Sequence, residues 1–179
     1  MYIKSIQTKE EIQQALNEAF DDVIGYIRAQ DRLDFETRKT EEKWSTGQQL
    51  EHLIKSIRPV NKGMGLPKFL LRWRFGKSGR EEMTYNELAQ KYQDLLDAGG
   101  KATAPYVPKV IYENQKEQLL SIYEKEKVKL LTVLEKWNER QLSALVAPHP
   151  LLGLVTIREL MFFTVFHNYH HLENIRSIA

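Results

Sequence analysis

The sequence predicts an all-α fold: a four-helix bundle with a long insertion between its second and third helices. Three observations carry that prediction. Apolar residues recur at helical spacing in four long segments. A Ser or Thr is followed three positions later by Glu or Gln at Thr8/Glu11, Ser45/Gln48, Thr84/Glu87 and Thr156/Glu159. Such pairs cap the free N–H groups of a first helical turn. No strand-like alternation persists anywhere in the chain. Four amphipathic helices bury their stripes most simply against one another.

The first helix is expected from about Lys9 to Ala29 or beyond, with Ile12, Leu16, Ala19, Phe20, Val23 and Ile27 as its buried stripe. The second should run from Thr46 to Ile57, turning Leu50, Leu53, Ile54 and Ile57 inward, and Pro59 should stop it. Residues 59–80 read as irregular. A short helix follows from Tyr85 to Asp97, ended by Gly99 and Gly100. "KATAPYVPKV" reads as a loop, rich in proline and small residues. The third long helix is placed from Asn114 to Arg140, with Leu119, Ile122, Tyr123, Leu130, Val133, Leu134 and Trp137 on its core side. "APHPLLGLV" reads as a second loop, and the last helix runs from Ile157 to Ser177.

A chain of 179 residues suits a single domain, 1–179. Its 26 basic and 24 acidic residues leave a formal net charge of +2. That balance exerts no overall pull on a polyanion, so nucleic acid is not expected as a partner. There is no cysteine, which excludes disulfides, thiolate metal sites and cysteine nucleophiles. Any metal must be held by His, Asp or Glu. The N-terminus has no apolar run suited to a signal peptide, and Arg158 and Glu159 break the longest apolar stretch. No membrane partner is expected, and a cytoplasmic location follows. Four amphipathic helices can leave one apolar face spare, so a homodimer is an expectation.

The chemistry concentrates in "FHNYHHLENI", which holds three of the five histidines. At roughly 100° per residue, Leu160, Thr164, His167, His171 and Ile175 share one face, while His170 points further round, near Phe163. Two imidazoles four apart on one helix can grip a single metal ion. They can equally be core histidines bonded to polar neighbours. The zinc-protease glutamate is absent, since the run is His-Asn-Tyr-His-His. A third ligand would have to come from His52, His149 or a carboxylate. Periodicity sets His52 with Gln48, Gln49 and Ser56, away from the apolar stripe, as a solvated residue or one lining a wet pocket.

"KWSTGQQLEHL", "HPLLGLVTIREL" and "FHNYHHLENI" together resemble the DinB-like (DinB/YfiT) family of small metal-binding four-helix proteins. The resemblance rests on Trp-Ser before a histidine on the second helix, on His-Pro, Gly, Thr and Glu leading into the last, and on the paired histidines there. It implies three metal ligands at His52, His167 and His171, overriding the placement of His52 by periodicity. It also implies a divalent ion, zinc or nickel, with a low-molecular-weight thiol as a further cofactor. Where the family often has Gln after the last ligand, this chain has Asn174.

The expected function is therefore that of a divalent-metal enzyme acting on a small-molecule substrate. Its three-histidine site would activate a thiol or water for S-transfer or hydrolysis. The alternatives are a non-catalytic bundle pinned by the metal, and a module for anions, lipid or nucleic acid built on residues 68–80. That segment holds Lys68, Arg72, Arg74, Lys77 and Arg80 around Phe69, Trp73 and Phe75; it also reads as a short lid helix with solvated charges. His149 reads as a loop residue or a substrate contact. Ser45 and Thr46 read as caps, and Trp44 and Tyr169 as core or rim residues.

Overall fold

The structure is a computed structural model that describes residues 6–31, 35–38, 40, 41 and 43–178. It is mostly helical. Seven α-helices lie among the described residues: α1 (Lys9–Ala29), α2 (Thr46–Met64), α3 (Lys68–Phe75), α4 (Tyr85–Asp97), α5 (Lys116–Glu135), α6 (Glu139–Ala144) and α7 (Ile157–Arg176). Two strands, β1 (Val146–His149) and β2 (Gly153–Thr156), form an antiparallel hairpin in which Val146 pairs with Thr156 and His149 with Gly153.

All four anticipated capping boxes form. Thr8, Ser45, Thr84 and Thr156 each accept the N–H three residues on, and the partner side chain accepts the cap's own N–H. The helices they open begin where the sequence puts them. The long helices then pack through their stripes, with α2 along α5, α1 along α5 and α7, and both α2 and α4 along α7. Phe20, Leu50, Ile54, Tyr123, Leu134 and Trp137 are fully buried in the shared core.

Four expectations need correction. Pro59 does not end α2, which continues to Met64. Proline removes only one helical bond, to the carbonyl of Lys55. Pro59 itself is exposed, while Ile57, Asn61 and Met64 anchor the helix on both sides of it. Residues 59–80 are therefore largely helical, because α3 follows α2. The third long helix does not reach Arg140. It ends at Glu135, and α6 restarts at Glu139, where Asn138 and Gln141 form a fifth capping box. Trp137 fills the break, donating from Nε1 to the Met64 carbonyl at 3.2 Å. Finally, "APHPLLGLV" is a hairpin, so the fold is not purely α. Gly153 takes φ +74°, a left-handed conformation that allows the chain to reverse there.

Two polar ties fix the approach to α7. Glu159, wholly buried, receives both arms of the Arg80 guanidinium at 2.7 and 2.6 Å, the Met83 N–H at 2.7 Å and the Thr156 N–H at 2.8 Å. Arg158 donates to Glu82, Ser143, Glu139 and the Gln7 carbonyl. The insertion between α3 and α4 is thus tied to the first turn of the histidine-bearing helix.

Candidate metal centre

The loop after α4 lies across the polar side of α2. Gln48, Glu51, His52 and Lys55 stand at i, i+3, i+4 and i+7, a single helical face. Each engages the loop's backbone. Gln48 Nε2 donates to the Lys109 carbonyl at 3.2 Å, and Lys55 Nζ to the Val107 carbonyl at 2.7 Å. Glu51 accepts the Lys109 N–H at 2.5 Å. His52 Nδ1 lies 2.8 Å from the Tyr106 carbonyl. The solvated reading of His52 is therefore wrong: the residue is only 6% exposed. What looks like a solvent face is a stripe that binds backbone.

From α2, the other edge of the His52 ring meets α7. His52 Nε2 is 3.1 Å from His167 Nε2, and His171 Nε2 is 3.0 Å from the same atom. One ligand atom from each of the three rings falls within 4.8 Å of the others, and all three residues are buried. His170 is set apart from them and pairs with Asn174 at 3.3 Å.

The protons decide what this cluster can hold. A backbone carbonyl only accepts, so His52 carries its proton on Nδ1 and turns a lone pair toward His167. His171 Nδ1 is held in the same way by Gln49 Oε1. That leaves three converging Nε2 atoms with at most one proton among them, on His167. One proton cannot satisfy both close contacts, and a shared cation would. Zinc–nitrogen bonds of ~2.0–2.1 Å in tetrahedral geometry set ligand nitrogens ~3.3 Å apart, close to the spacing of both pairs. Burial holds His52 below the ordinary imidazole range. It pushes His167 and His171 well below that range, reinforced by the neighbouring rings. Neutral imidazole is the metal-binding form.

Around the cluster, the Trp44 ring lies 4.9 Å from the His52 ring and stacks at 6.3 Å on that of His171. Phe163 stacks on His167 at 4.8 Å. A cavity of about 620 Å³ reaches the three histidines and is walled largely by apolar groups, among them Met64, Tyr92, Leu160 and Phe163. His149, at the hairpin tip, also lines it, so the substrate-contact reading of that residue keeps a structural basis. Sequence reasoning missed Gln49, although it stands one helical turn before His52 on the same polar face.

The profile of the DinB superfamily matches residues 36–175. The chain belongs to the DinB superfamily. No curated protein matches it in sequence. Among solved structures, it is similar to the crystal structure of the colibactin self-resistance protein ClbS in complex with a dsDNA. The TM-score is 0.58 at 15% identity, over 98% of this chain and 97% of that one. That structure corrects the exclusion of nucleic acid, since a superfamily chain's near-zero net charge cannot rule out what a protein of like fold is crystallised with. Net charge averages over the whole surface, whereas phosphate contacts depend on local patches.

Proposed function

We propose that residues 1–179 form one DinB-type four-helix-bundle domain that holds a divalent ion, zinc or nickel, through His52, His167 and His171, and acts as a metal-dependent enzyme. The observation that carries this reading is the convergence of three Nε2 atoms whose protons are drawn to the far side of at least two rings. Such an ion supplies Lewis acidity, lowering the pKa of a water or thiol so that it becomes a nucleophile near neutral pH. The chain's own residues do the rest. The Tyr106 carbonyl and Gln49 fix the tautomers of His52 and His171. Trp44 and Phe163 shield the rings from bulk water, and the cavity gives a small molecule access to them. Thiol transfer and hydrolysis both fit this arrangement.

Elemental analysis of purified protein tests the site. His52→Ala, His167→Ala and His171→Ala should each lose stoichiometric metal, while His170→Ala keeps it. Equal loss in all four variants would refute the assignment. Assay of metal-loaded protein for thiol transfer and for hydrolysis tests the chemistry; inactivity in both would leave a metal-pinned bundle.

A second reading draws on the DNA complex of the similar protein and on α3. Arg72, Arg74 and Lys77 are exposed beside Phe69 and Trp73, which are 69% and 82% exposed. Basic and aromatic groups together suit a polyanion with stacking surfaces. Binding of duplex DNA that weakens steeply with salt, and weakens further in Arg72→Glu/Arg74→Glu, would support it; salt-independent or absent binding would dismiss it.

A further inference from the structure

We infer that the cavity in front of the three histidines takes an anionic molecule with an apolar body, of the class of medium-chain carboxylates. The inference deepens the reading of this cavity as the functional site, and it does not require the ion to be bound.

Charge around the cavity is one-sided. Lys43, Lys62 and Lys101 line it and are solvent-exposed, which puts them at its rim. Among the described residues no Asp or Glu lines it. The chain as a whole is nearly balanced, with 26 basic and 24 acidic residues, so this bias is local. None of the three lysines has an ion-pair partner among the described residues. Three cations with no described ion-pair partner around a low-dielectric opening focus a positive potential on whatever enters.

Behind the rim the wall changes character. Met64, Leu71, Phe75, Leu96, Leu151 and Phe163 give a surface that rewards burial of hydrocarbon. A volume of about 620 Å³ falls in the range of pockets that enclose a whole small ligand. One further polar group points to an acceptor-bearing ligand. His149 Nδ1 accepts the N–H groups of Leu151 and Leu152 at 3.2 and 3.1 Å, so its proton lies on Nε2. The neutral ring is therefore a donor in a wall whose described residues include no carboxylate.

The test compares three probes of equal chain length, each below its self-association concentration: decanoate, decanol and decyltrimethylammonium. Binding is followed by calorimetry and by the fluorescence of Trp44, which lines the cavity. Metal-loaded and chelator-treated protein are both used. Decanoate should bind tightest, with an advantage over decanol that shrinks at high salt. Lys62→Glu/Lys101→Glu should lose that advantage, weakening decanoate by roughly tenfold, as expected for two exposed charges reversed. Both positions are exposed, and circular dichroism checks the fold. The inference is overturned if the cation or the alcohol binds as tightly as decanoate, if none of the three binds, or if the lysine variants leave the order unchanged. His52→Ala separates the two readings: loss of metal with decanoate selectivity retained would uphold both, and retained metal would sink the three-histidine site alone, whereas a parent protein that binds metal but does not prefer decanoate would sink only this inference.

Discussion

At the scale of single residues, the histidine cluster depends on groups that would never touch a metal. His171 is oriented by Gln49, and the tautomer this imposes frees Nε2. Gln49→Leu keeps the side chain's bulk and removes the acceptor. It should weaken metal affinity by about tenfold or more, the usual cost of losing such a partner, with the helical spectrum unchanged; a competition titration with a chelator reads it. His149 makes a different expectation. Burial pushes its pKa down to about 4, whereas an unfolded chain's imidazole protonates near 6.5. Its contribution to stability is therefore complete above pH 6.5 and is lost as the pH falls through about 4. Asn at this position can accept the same downstream N–H groups without titrating. His149→Asn should thus gain on the parent in urea unfolding at pH 5 relative to pH 7.5. An identical pH response in both proteins would refute this.

At the scale of elements, close approach between α2 and its neighbours sets a second expectation. A Cβ at Gly47 would lie 2.6 Å from Ile111 Cγ2 and 2.9 Å from Phe35 Cε1. Gly47→Ala should gain about 1 kcal/mol of helix propensity. It should lose about 1–3 kcal/mol to overpacking. A net loss is expected, read as a lower urea midpoint; a raised midpoint would show that Ile111 yields freely. The same elements show what the sequence could and could not convey. Helix starts were legible where Ser or Thr opened a capping box, because the signal is local and chemical. The third long helix has no side-chain cap at its start, and its end was overrun because Asn138 with Gln141 is a capping box headed by Asn. The hairpin escaped because strands of four residues are too short to display alternation. The paired histidines were legible from their spacing. His52 was not, since its burial comes from a loop some fifty residues downstream, and only the family resemblance pointed to it.

At the scale of the whole molecule, the same ring is shared by two distant pieces of chain. His52 reaches α7 with one nitrogen and the Tyr106 carbonyl, 54 residues away, with the other. A side chain used at both ends cannot be stiffened at one without the other feeling it. Filling the histidine cluster with zinc should therefore slow amide hydrogen exchange in residues 103–111, and most clearly at Lys109, whose N–H is held by Glu51 on the same stripe. Unchanged exchange on metal addition would show that the ring moves independently of the loop. Thermodynamic reciprocity adds the converse: a ligand whose binding zinc strengthens by ordering this loop would strengthen zinc binding by the same factor. A segment with no metal ligand of its own would then act as a tuning element, through which crowding, ligand or sequence drift at the surface adjusts how long the ion stays.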